Sequence, residues 1–103
     1  MDKETINITN DFVPKVKKKF SNTKIILFGS RARGDNFNSS DFDFLLISDD
    51  FKKTPFIFRA SEIYDLWDSK KDIEAICYTS EEFENKKTEQ GIVKKAIIEG
   101  IEF

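Results

Sequence analysis

Apolar positions along this chain fall into two rhythms, one of period two and one of three to four. Lys24-Ile25-Ile26-Leu27-Phe28 is a continuous apolar run of the kind a strand buried on both faces shows, and Gly29 ends it. From Asp41 to Ile47 the chain alternates, so a strand there points Asp41 and Asp43 to one face and Phe42 and Phe44 to the other. Asp72 to Tyr78 alternates again and predicts a third strand. The longer period marks helices. Phe12, Val16 and Phe20 share a face of a helix capped by Asn10 or Asp11, with Pro14 in its first turn. Phe56, Ala60, Ile63, Tyr64 and Trp67 predict an amphipathic helix near 55–68, with Pro55 at its start. Thr79-Ser80-Glu81-Glu82 is a capping-box pattern opening a short helix, and Ile92, Val93, Ala96 and Ile97 mark a last one that Gly100 terminates. Residues 1–9 are polar and expected to fray in part. The order of elements predicts an α/β (α+β) fold, a small mixed β-sheet of about three core strands packed with helices, as one domain over residues 1–103.

Composition narrows the chemistry. With 39% hydrophobic residues and eleven Phe, a chain of 103 residues closes one small core and has no surplus for a second. Charged residues make up 35% but nearly cancel to a net charge of -2, so no global field draws the chain to nucleic acid or anionic membrane, and neither is expected as a direct partner. The single Cys77 has no internal disulfide partner, and no apolar signal or membrane-length run stands out; the expected location is the cytoplasm. Cys77 reads as a small buried hydrophobe, Tyr64 and Trp67 as core, and Lys15, Lys17, Lys18 and Lys19 as a solvated helix face. The absence of His removes His-based general bases, histidine metal sites and Ser-His or Cys-His nucleophiles. Carboxylates must carry any acid-base or metal chemistry.

One segment concentrates that chemistry. Gly29-Ser30 stands where a buried strand turns into a short helical segment, a place where backbone N–H groups can approach a phosphate. Arg31 and Arg33 follow with forked donors, and Gly34-Asp35-Asn36 makes the next turn. Asp41 and Asp43 on one strand face repel each other unless a cation lies between them, and magnesium suits an all-oxygen donor set completed by phosphates and water. One ligand can touch both Gly29 and Asp41 only if strands one and two run antiparallel. A helical crossover then makes strand three parallel to strand two and brings Asp72 and Glu74 to the same end.

These residues resemble a known family. GSRARGDNFNSSDFDFLLI, in which Gly29-Ser30 is followed after ten residues by Asp41-x-Asp43, is similar to the minimal nucleotidyltransferases of the DNA polymerase beta superfamily. KIILFGSRARG, the Trp-bearing helix, EAICYTSEEFENK and the C-terminal IIEG extend the likeness over roughly residues 15–103. The resemblance implies that Gly29 and Ser30 bind the triphosphate, that Arg31 and Arg33 steady it, and that Asp41 and Asp43 hold two Mg2+ ions. It puts the third carboxylate at Glu74, where relatives usually carry Asp, with Asp72 in reserve. A ligand longer by one methylene shifts by about an ångström, a displacement that can cost on the order of 100-fold in rate. The implied reaction is transfer of a nucleoside monophosphate, AMP from ATP, to a hydroxyl acceptor. The implied setting is an antitoxin paired with a HEPN-domain protein, either modifying that partner or, in the alternative, masking it by contact without catalysis; oligomeric state stays open.

Overall fold

The computed structural model describes residues 1–103. A four-stranded sheet is built from β1 (Lys24–Phe28), β2 (Phe42–Ile47), β3 (Ile73–Tyr78) and β4 (Ile101–Glu102), in the order β3-β2-β1-β4. β1 runs antiparallel to both β2 and β4, while β2 and β3 are parallel. Five helices accompany it: α1 (Lys3–Lys19), α2 (Ser30–Arg33), α3 (Phe56–Tyr64), α4 (Ser80–Lys86) and α5 (Ile92–Glu99). The parallel pair is reached through α3, as a parallel connection requires a crossover.

Strand alternation divides the core between the two faces. Ile25, Leu27, Phe42, Phe44, Leu46, Ala75 and Cys77 pack with Phe12 and Val16 of α1 and Ile63 of α3. Ile26, Phe28, Leu45 and Ile47 pack with Val93 and Ala96 of α5. Asp43 shares its parity with Leu45 and Ile47, and Glu74 shares its parity with Ile76 and Tyr78. Both acids therefore lie on the α5 face, at the end of the sheet where β1 leaves and β2 and β3 enter. Phe12, Phe42, Phe44 and Trp67 make the aromatic centre of the other face, with Trp67 Nε1 donating to Lys71 O at 2.7 Å. Cys77 is buried there, and burial pushes its thiol up to about 12.

Four differences from the sequence reading have physical causes. The first helix begins at Lys3, not after Asn10 or Asp11, so it takes in the residues expected to fray and leaves Pro14 in its interior. Asp2 caps it, accepting from Thr5 N at 2.8 Å, and Thr9 Oγ1 donates to Thr5 O at 2.8 Å. Thr5 and Thr9 are thereby satisfied and buried, extending the Phe12 and Val16 stripe with residues that count as polar. The helix expected over 55–68 spans Phe56–Tyr64, and its buried members are Arg59 and Ile63, while Phe56 and Tyr64 are exposed. Arg59 pins the helix end by donating to Thr54 O, Cys77 O and Glu82 Oε1. The second and third strands start one residue late, at Phe42 and Ile73, leaving Asp41 and Asp72 in the lead-in turns. A fourth strand of two residues was not expected. The Thr79 capping box is present in full, with Glu82 Oε1 accepting from Thr79 N at 2.7 Å. No helix is long and apolar enough to cross a membrane.

Candidate active site

The site begins with a glycine that has no alternative. Gly29 leaves β1 at φ 76° and ψ -162°, a conformation open to glycine almost alone, and a Cβ there would collide with Asp43 Oδ2. The missing side chain thus serves two ends at once: it lets the chain turn into α2, and it lets Asp43 lie directly against that turn. Phe28 and Asp43 are register partners, which is why the contact occurs. Beyond Gly29, the first N–H groups of α2, from Ser30 and Arg31, have no intrahelical partners, and Ser30 is half-buried at the first position.

Glu74 is the register partner of Asp43 across the parallel pair, so the third carboxylate reaches the site from β3. Asp43 carries the strain of that arrangement. Burial, then the charge of and hydrogen bond with Glu74, and the charge of Asp41 push its carboxyl up to about 6; Lys95 of α5 pulls the other way. Asp72 is not among the groups acting on Asp43 and is exposed in the turn before β3. Asp41 is also exposed, at the rim. No three acids stand close enough together to hold a metal ion unaided. The donor set nonetheless fits a hard divalent cation. It is all oxygen, its repulsion outweighs the one protein cation acting on Asp43, Lys95, and magnesium is ordinarily held by one or two carboxylates together with substrate phosphates.

The two arginines separate. Arg33 stays at the surface, donating to Asp35 Oδ2 at 3.2 Å and to Glu99 Oε2 at 3.0 Å. Arg31, expected from the sequence to steady phosphate, turns inward and is fully buried. Its five N–H donors go to Ser40 O (twice), Asn38 O, Glu4 Oε1 and Thr5 Oγ1, and its guanidinium lies 4.4 Å from the Phe42 ring centre. With no donor left, Arg31 fixes the loop that carries Asp41 to α1 instead of reaching outward. Helix α5, which the sequence reading treated as packing alone, contributes Lys95 and Glu99. Glu99 Oε1 accepts from Gly29 N at 3.0 Å. The sequence signals only that α5 ends at Gly100; the strand that then returns along β1 is too short to show a pattern. A concavity of about 440 Å³, lined by Thr23, Lys24, Phe83 and Glu102 among others, lies at the opposite end of β1 from these acids.

The family profile described as a nucleotidyltransferase domain matches residues 10–102. The fold is similar to the crystal structure of a candidate nucleotidyltransferase from Sulfolobus solfataricus. The TM-score is 0.59 and the identity 21%, over 100% of this chain and 88% of that one. No curated protein matches the sequence. The Gly29 turn and the Asp43–Glu74 pair fall inside the matched segment, and the chain belongs to the nucleotidyltransferase-domain family.

Proposed function

We propose that the protein transfers AMP from Mg-ATP to a hydroxyl group on a partner protein. The observation that carries this reading is the contact of the Gly29 turn with Asp43, which puts unpartnered backbone N–H groups beside a carboxylate pair. The Gly29 N–H, Ser30, the first α2 N–H groups and Arg33 would take the triphosphate oxygens. Asp41, Asp43 and Glu74 would hold the divalent ions, which supply charge neutralisation and polarise the phosphoryl oxygens when bound. The acceptor oxygen attacks the α-phosphorus, a P–O bond forms, the bridging P–O bond breaks and pyrophosphate leaves. Glu74, exposed and at the strand entrance, takes the acceptor proton. Titration calorimetry with Mg-ATP tests the site: wild type should bind and Asp41→Ala/Asp43→Ala should bind at least about tenfold more weakly. Equal affinity in both would end this reading.

The setting implied by the resemblance, an antitoxin that engages a HEPN-domain protein, draws support from the surface. Phe56, Ile57 and Phe58 at the start of α3 are 49%, 78% and 58% exposed, a run of large apolar side chains suited to a protein partner. The same run supports the second reading, masking of the partner by contact without catalysis. Incubating the copurified partner with α-labelled ATP separates the two. Label on the partner that is lost with Asp43→Ala is expected for the enzyme; neutralisation of the partner that survives Asp43→Ala, with no label, would establish the contact module.

A further inference from the structure

An anion already stands on the donors that the proposed triphosphate needs, and it belongs to the protein. Glu99 Oε1 accepts from Gly29 N at 3.0 Å, Glu99 Oε2 accepts from Arg33 Nη1 at 3.0 Å, and Lys95 Nζ lies 3.9 Å from Oε1. The Glu99 side chain is only 16% exposed, and it joins the part-buried Gly29 N–H to Arg33 at the surface. Two oxygens of one carboxylate on a backbone N–H and a guanidinium reproduce what two oxygens of a phosphate would do there.

The backbone explains why Glu99 is held in that place. β4 pairs with β1 as Ile26 with Glu102 and Leu27 with Ile101, and continuing the antiparallel count sets residue 99 across from residue 29. Gly100 closes the turn between α5 and β4 so tightly that a Cβ on it would meet Ala96 O and Ile26 Cγ2. The Glu99 main chain is therefore fixed opposite Gly29, and only its side chain is free to move.

We infer that Glu99 is an internal phosphate surrogate that competes with nucleotide for Gly29 N–H and Arg33, so that a triphosphate binds by exchange with this carboxylate. The inference rests on the nucleotide reading above. Exchange lowers the apparent affinity of every ligand that needs those two donors by the same factor, set by how strongly the carboxylate holds them. It leaves untouched a ligand that does not reach them. The bound state frees Glu99 from Gly29 and Arg33 without moving α5.

The test is calorimetry of Mg-ATP and of adenosine against wild type, Glu99→Gln and Glu99→Ala, with a thermal melt of each variant. Glu99→Gln keeps the shape and removes the charge. Expected are tightening of Mg-ATP by about tenfold in both variants and no change for adenosine. In 15N spectra the Gly29 amide, one of four glycines, should shift on Mg-ATP addition to wild type and on the Glu99→Gln substitution alone. Wild type that binds Mg-ATP as well as or better than a folded Glu99→Gln overturns the exchange while leaving the nucleotide site standing. No Mg-ATP binding by any of the three overturns both.

Discussion

Arg31→Ala is expected to destabilise the protein by about 3 kcal/mol, lowering the melting midpoint by roughly 15 °C. The side chain has no solvent contact, and its removal strands the Ser40 carbonyl and the Thr5 hydroxyl, while Asn38 O keeps Lys71 Nζ as a donor. The cavity beside Phe42 adds to the cost. Glu4, about one-third exposed, can rehydrate, which keeps the loss near the lower end of the range for a broken buried pair. Arg31→Lys should recover part of the loss, because a single ammonium cannot span the carbonyls and Glu4 together. Circular dichroism melts check this. A midpoint for Arg31→Ala within about 3 °C of wild type would show that the buried fork is dispensable.

Asp43→Asn is expected to reduce transfer by about 100-fold or more and, at neutral pH, to make the fold more stable. The two effects have one cause. The Asp43 carboxyl is raised to about 6 in the folded chain, against 3.8 for the free group, first by burial and then by Glu74 and Asp41. Between these values the folded chain holds a proton that the unfolded chain has released, so wild-type stability falls as pH rises from about 4 to about 6 and stays low above that. Asn carries no charge and escapes the penalty. Since the group is only partly buried, solvent screening leaves roughly 1 kcal/mol of the gain, or about 5 °C, at pH 7.5. The gain should shrink to nothing by about pH 2.5, below both values, where wild-type Asp43 is neutral folded and unfolded. Melts of both proteins across that range decide it; a variant less stable than wild type at pH 7.5 would refute the strain ascribed to Asp43.

The parts of the fold that were legible in the sequence are those whose pattern is local. β1 is an unbroken apolar run, β2 and β3 alternate, and the Thr79 box is written in four consecutive residues. The antiparallel β1–β2 pairing followed from asking how one ligand could touch Gly29 and Asp41. What escaped depends on distant partners. Thr9 is buried because its hydroxyl is satisfied within α1, and Thr5 because its hydroxyl accepts from Arg31, neither of which hydropathy registers. Arg31 and Arg33 look equivalent two residues apart, yet the short helix between them sends one into the core and leaves the other outside. β4 is too short to carry a period, and without it nothing ties Glu99 to Gly29 across seventy residues.

The bare Cα of Gly29 has a thermodynamic consequence as well. Because Asp43 Oδ2 occupies the space of the missing side chain, an anion bound on the turn and a cation bound on the carboxylates would sit within contact range of one another. Each is poorly tolerated alone: the anion meets the Asp43 charge, and the cation loses the oxygens that would fill its shell. On the proposed reading, nucleotide and metal affinities at this turn would be linked reciprocally, each strengthening the other by the same factor, and neither would have a meaningful dissociation constant quoted without the concentration of its counterpart.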